Sequence, residues 1–205
     1  MEPIDTDDAA IPEDRPPFKL SIAVLYALIL VVGLIWCRLG SHRLIVPRAI
    51  GDRSLDLAIA LAAGLAVVLA VALIARWTAL LEPIEAELAS RIGPLTRREV
   101  WTISTYASLV EEVFFRGAFL PSAARALGSP VAGLVITSLV FGVLHKGPNR
   151  RFLPWTLFAT LAGGLLGWLY LRTGDIVAPT FLHFVITVAN MSRIARRARA
   201  PSAAS

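Results

Sequence analysis

Three uninterrupted apolar runs limit what this chain can fold into. Leu20–Cys37, Leu57–Ala75 and Phe152–Leu171 hold 18, 19 and 20 residues without one Asp, Glu, Lys or Arg. A helix rises about 1.5 Å per residue and the hydrocarbon core is roughly 30 Å thick, so each run can cross a bilayer as one helix. Segments at about 97–120, 126–145 and 176–192 are less regular candidates. The expected fold class is all-α, a polytopic transmembrane helical bundle with about six membrane helices. Composition agrees: 56% of the 205 residues are hydrophobic and only 17% charged, well away from the balance of an ordinary soluble domain.

The charges mark the organisation. Residues 1–19, "MEPIDTDDAAIPEDRPPFK", form an acidic, Pro-rich N-terminal tail, unlike the short basic region of a signal peptide. Residues 20–96 comprise two membrane anchor helices and an interfacial connector, read from the mixed charges and prolines of "RWTALLEPIEAELASRIGPLTRRE" at 76–99. Residues 97–192 form a helical core that carries every unusual polar residue, and 193–205 a basic C-terminal tail. Net charge is +5, but the arginines crowd the ends of the apolar runs: Arg38, Arg43, Arg48 and Arg53, then Lys146, Arg150 and Arg151, then Arg193, Arg196, Arg197 and Arg199. That distribution fits membrane sidedness and anionic lipid, so the expected partners include membrane lipid and exclude nucleic acid. If segment 97–120 stops short of a full crossing, both basic loops and the C-terminus share one side, which suits the charge rule better than six full crossings. The single cysteine, Cys37, excludes an internal disulfide and a CxxC metal site.

Within the core, "LVEEVFFRGAF" at 109–119 sets Glu111, Glu112 and Arg116 among apolar neighbours. Glu112 and Arg116 are i and i+4 with the glutamate first, the favoured order for an ion pair. Glu111 points about 100° away around the helix and is left without a cation. A carboxylate at bilayer depth costs roughly 2.5–3.5 kcal/mol on insertion scales and is usually functional. His145 ends "LVFGVLH" one turn after Phe141, and His183 lies in "APTFLHFVITVAN", with Thr187 and Asn190 one and two turns later. His42 sits in a basic loop and reads as solvated. A glutamate and two histidines can activate a water directly or through a divalent metal such as zinc held by His145 and His183, and the residues leave both readings open. No HExxH and no GxSxG occurs. "LAGGLLG" at 161–167 places Gly163 and Gly167 on one face for close helix packing, and "RTGD" at 172–175 reads as a tight turn.

"EEVFFR", "FGVLH" and "HFVIT", in that order, resemble the EExxxR, FxxxH and HxxxN/D motifs of the CPBP family of intramembrane proteases, also called the CAAX prenyl protease 2 or Abi family. The resemblance covers about residues 97–192 and implies a multi-pass membrane endopeptidase, expected in a bacterial inner membrane, acting on a membrane-associated protein or peptide. It implies that Glu111 activates water, that Glu112 and Arg116 support the site, and that His145 and His183 hold the oxyanion or a metal. Thr187 stands where the family has Asn or Asp; its hydroxyl can donate a hydrogen bond but lacks an amide's reach. The alternative, from another class, is a non-catalytic membrane protein of the same fold acting in peptide or bacteriocin immunity. Transport is disfavoured by the lack of an internal repeat.

Overall fold

The structure, a computed structural model, describes residues 18–199, with side chains from residue 23 onward. Most of the acidic N-terminal tail and the last six residues of the basic tail lie outside the described residues. The chain forms helices α1 (Phe18–Leu39), α2 (Ile50–Trp77), α3 (Glu82–Ile92) and α4 (Arg97–Glu112), then a π-helical segment, Val113–Phe119. It continues through α5 (Leu120–Ala126), α6 (Pro130–Leu144), a 3-10 turn (Arg150–Phe152), α7 (Leu153–Thr173) and α8 (Val177–Arg199). No strand occurs among the described residues. Helix α8 runs through Arg199, so the segment read as a basic tail from 193 is largely helix.

Local sequence sets the boundaries. Thr96 and Glu99 form a reciprocal capping box at the start of α4, and Ser129 caps α6 just before Pro130. Gly174, at φ +76°, stops α7 in a left-handed turn that a side chain would resist. Gly163 and Gly167 both face α6, where a Cβ would press on Phe141 and Ser138 or collide with Leu134. Helix α3 is the short interfacial element expected in the connector. Its Ile84 and Ala89 are buried, and Glu85 pairs with Arg193 of α8 at 2.5 Å.

The outer surface confirms what surrounds this bundle. Leu65, Leu69, Val135, Leu157 and Leu161 are all more than half exposed. A surface so rich in large apolar side chains is compatible with lipid and not with water. By length and composition, α2 and the segment Arg150–Thr173 can each cross a membrane, while Ala23–Leu39 and α6 are shorter apolar helices. The chain is a helical membrane bundle.

The structure bears on the two arrangements that the charges left open. From Arg97 to Ala126 the helix is continuous and spans the whole bundle: Arg199 donates to the Leu95 carbonyl at one end, and Arg125 donates to the Gly40 carbonyl at 3.4 Å at the other. Residues 40–49 pack against the α7–α8 turn, where Ile176 N–H donates to the Leu44 carbonyl at 3.0 Å. The 3-10 turn packs against α3 at the opposite end. The two basic loops therefore lie at opposite ends. The charge count favoured the other arrangement because it treats paired arginines as free: Arg53 pairs with Asp175 at 2.8 Å, and Arg48 and Arg172 share Asp56 at 3.3 and 3.8 Å. Arginines locked to acids report packing, not sidedness. His42 is likewise not simply solvated; it is half-buried with Nε2 3.0 Å from the Ser122 hydroxyl.

Asp175 organises that end of the bundle. Its carboxylate accepts two hydrogen bonds from Arg53, at 2.9 and 2.8 Å, and further ones from the backbone N–H groups of Val46 and Val177. Burial alone would push this carboxyl up; the Arg53 guanidinium and the two N–H donors prevail and hold it below its ordinary 3.8. A carboxyl depressed on folding stabilises the protein fully above its unfolded value and loses that contribution as pH falls toward the folded one. Asp175→Ala is expected to destabilise the protein by roughly 3–5 kcal/mol. In thermal denaturation of detergent-solubilised protein, the gap to wild type should hold from neutral pH to about pH 4 and narrow below it.

Candidate active site

The polar cluster forms where α4 passes into the π-helical segment. A π turn widens the helix and frees backbone carbonyls, and such turns recur at functional sites. Here the Val113 carbonyl is met by the thiol of Cys37, 3.8 Å away on α1. Gly33 of α1 lies so close to the Phe114 backbone that a Cβ there would sit 3.3 Å from its Cα. The widened segment is thus clamped by α1, with Glu111 and Glu112 just before it and Arg116 within it.

Glu112 is fully buried and Arg116 is 2% exposed. Glu112 Oε1 accepts from Arg116 Nη1 at 2.8 Å, the i, i+4 pair that the spacing predicts, and from His183 Nδ1 at 2.9 Å. Arg116 Nη2 donates to the Gly163 carbonyl of α7 at 2.8 Å. The guanidinium also lies over the Phe141 and Phe115 rings, at 5.0 and 5.7 Å from their centroids. One cation therefore ties α4, α6 and α7 to the same point.

Glu111 takes the other direction. Its Oε1 accepts from the Tyr26 hydroxyl of α1 at 2.7 Å. Its Oε2 is buried, has no hydrogen-bond partner, and lies 3.9 Å from His145 Nε2 and 3.8 Å from His183 Nε2. Helix α6 ends at Leu144, and His145 Nδ1 sits 2.7 Å from the Phe141 carbonyl in its last turn. Phe141 packs against both imidazoles, tilted over His145 with ring centroids 4.4 Å apart and edge-to-face with His183 at 6.0 Å.

The hydrogen-bond partners assign the tautomers. A carbonyl only accepts, so His145 Nδ1 carries the proton; the Glu112 carboxylate only accepts, so His183 Nδ1 carries one too. Neutral imidazoles in these tautomers turn both Nε2 lone pairs toward Glu111 Oε2. Three acceptors then face one another with no donor among them. A water bonded at about 2.8 Å to atoms 3.8–3.9 Å apart would subtend an angle of about 90°, which it can do comfortably. Two neutral Nε2 atoms and a carboxylate, each imidazole oriented through Nδ1–H, are also a donor set of the right chemistry for a divalent metal. Their separations exceed by a few tenths of an ångström the ~3.4 Å of ligands sharing a tetrahedral zinc. No set of three or more His, Cys, Asp or Glu side chains among the described residues is close enough to hold an ion as it stands.

The structure brings together Glu111, Glu112, Arg116, His145 and His183. It does not bring in Thr187, which is half-buried one turn beyond His183, or Asn190; neither makes a hydrogen bond to the cluster. Sequence reasoning missed Tyr26, a tyrosine in an apolar run with nothing to distinguish it. It also missed the Gly163 carbonyl, because the glycine's packing role concealed a backbone acceptor.

Residues 95–189, which contain all seven motif positions from Glu111 to Thr187, match the family model described as type II CAAX prenyl endopeptidase Rce1-like. No curated protein and no solved structure matches the chain. Through the segment that houses its buried charges, the chain is similar to the Rce1-like type II CAAX prenyl endopeptidases.

Proposed function

We propose that this protein is a multi-pass intramembrane endopeptidase that hydrolyses a peptide bond of a membrane-associated protein or peptide, of CAAX type, using a water activated by Glu111. One observation carries the reading: Glu111 Oε2 is a buried carboxylate oxygen with no hydrogen-bond partner, 3.9 and 3.8 Å from the Nε2 atoms of His145 and His183. A water there donates one proton to Glu111 Oε2 as its oxygen attacks the carbonyl carbon. The resulting oxyanion needs a donor. His145 and His183, whose Nε2 atoms lie beside Glu111 Oε2, are the candidates to face it. On collapse, the protonated Glu111 returns its proton to the leaving amine, and the products are a carboxylic acid and an amine. A divalent metal, when bound by His145, His183 and Glu111, would polarise the same water. Thr187, whose hydroxyl is not engaged by the cluster, is a further candidate donor to the substrate.

Glu112 and Arg116 hold this arrangement and do not react. Glu112 keeps His183 turned so that Nε2 faces Glu111, and Arg116 holds Glu112 in place through their 2.8 Å pair. Tyr26 anchors one oxygen of Glu111 and so aims the other.

The test is purified protein with a farnesylated peptide ending in a CAAX sequence, alongside co-expressed membrane-anchored candidates, with product masses read by mass spectrometry. Glu111→Gln should lower the cleavage rate by about 10²–10⁴-fold at unchanged thermal stability. Cleavage by this variant at the wild-type rate would falsify the assignment. Glu112→Gln and Arg116→Ala should each destabilise the fold by roughly 3–5 kcal/mol, because either leaves a buried charge alone; melting curves decide this without any substrate. Tyr26→Phe should melt like wild type yet turn over about tenfold more slowly, equivalent to ~1.4 kcal/mol in the transition state.

A further inference from the structure

Away from the polar cluster, at the end of the bundle that holds α3, the structure contains two adjoining spaces. The first is an apolar slot of about 250 Å³ bounded by Val71 and Ile74 of α2, Phe158 and Leu161 of α7, and Ile84 and Leu88 of α3. The second is a wider cleft of about 540 Å³ between α2 and α8, lined by Arg76, Arg196, Ser192 and Asn190. Val71, Asn190 and Arg193 line both, so the slot opens into the cleft. None of Glu111, Glu112, His145 or His183 lines either space.

The charges of the cleft are not balanced. Arg193 is committed to Glu85 at 2.5 Å. Arg76 and Arg196 are exposed, and neither makes an ion pair with any described residue; Arg76 only overlies Trp77, at 5.8 Å. Two guanidinium groups without an ion-pair partner among the described residues, an amide and a hydroxyl thus rim the mouth of an apolar slot. Trp77 and Trp155, at this end of α2 and α7, mark the headgroup level where tryptophan is enriched. Basic pockets between membrane helices accept anionic headgroups, and here an apolar slot continues below the cations.

We propose that this is a binding site for one anionic glycerophospholipid, with its phosphate between Arg76 and Arg196 and one acyl chain in the slot under α3. Arg76, Arg196 and most of the slot come from outside residues 95–189, so nothing about the site follows from the family match. The lipid cross-braces α2 to α8, the helix that carries His183, and does not depend on the proteolytic reading.

The experiment uses the full chain in nanodiscs of equal parts phosphatidylcholine and phosphatidylglycerol, extracted into mild detergent and weighed by native mass spectrometry. Wild type should retain one phosphatidylglycerol per chain, at least fivefold in excess over phosphatidylcholine. The exposed double variant Arg76→Gln/Arg196→Gln should lose that preference, while Arg97→Gln/Arg98→Gln, exposed at the same end, should keep it. Leu161→Trp, which fills the slot from α7, should lower retention of both lipids. Millimolar glycerol 3-phosphate should not displace the bound lipid. Equal retention of the two lipids by wild type, an unchanged preference in Arg76→Gln/Arg196→Gln, or an equal loss in Arg97→Gln/Arg98→Gln would overturn the site. Displacement by glycerol 3-phosphate would reassign it to a headgroup or free phosphate alone.

Discussion

Two carboxylates and one guanidinium share the interior of an apolar bundle, and everything about the site follows from which carboxylate the guanidinium takes. Arg116 is the one buried Lys or Arg among the described residues, and it pairs with Glu112. That choice is forced by helical geometry, since i and i+4 meet on one face and i and i+5 do not. The rest of its donor capacity goes to the Gly163 carbonyl, and its planar face lies against two phenylalanines. Glu111 is left with a neutral phenol on one oxygen and nothing on the other. In water such an oxygen would be unremarkable. Inside a membrane protein it is an acceptor with a desolvation penalty that only a bound molecule can relieve.

The same ion pair sets the histidines. Glu112 accepts from His183 as well as from Arg116, which fixes one tautomer, and the last turn of α6 fixes the other through the Phe141 carbonyl. Phe141 is central twice, packing against both imidazoles and lying under the guanidinium. The arrangement is completed from outside the family-matched segment: α1 supplies Tyr26 and clamps the π-helical turn through Gly33 and Cys37. The N-terminal helices are therefore part of the site's construction as well as anchors.

What the sequence disclosed and what it withheld divide along the range of the interactions. The ion pair of Glu112 and Arg116 was legible because it is local to one helix. The apolar runs and the close approach at Gly163 and Gly167 were legible for the same reason, as were the turn at Gly174 and the interfacial α3. The membrane bundle itself followed from composition and run length. Contacts made across the fold were not legible: the pairing of Glu112 with His183 spans 71 residues and that of Tyr26 with Glu111 spans 85. The order of the three motifs brought the histidines into consideration, but only tertiary structure places both Nε2 atoms toward one carboxylate oxygen. Sidedness stayed open because a sequence does not distinguish an arginine pinned to Asp56 or Asp175 from one free to meet a headgroup. Thr187 remains apart from the cluster, so its place in the third motif is a matter of sequence position alone.

The central claim is that both imidazoles carry their proton on Nδ1 and turn an unprotonated Nε2 toward Glu111. Nitrogen-15 NMR of ring-labelled histidine in the folded protein, with His145 and His183 assigned by single substitution, measures this directly at a pH where the rings are neutral. The account predicts an Nδ1–H tautomer at both positions, with the His183 signal reverting to the mixed tautomers of free histidine in Glu112→Gln if that variant still folds. An Nε2–H tautomer at either ring in wild type would contradict it, because that ring would then already satisfy Glu111 and leave no place for a reactive water.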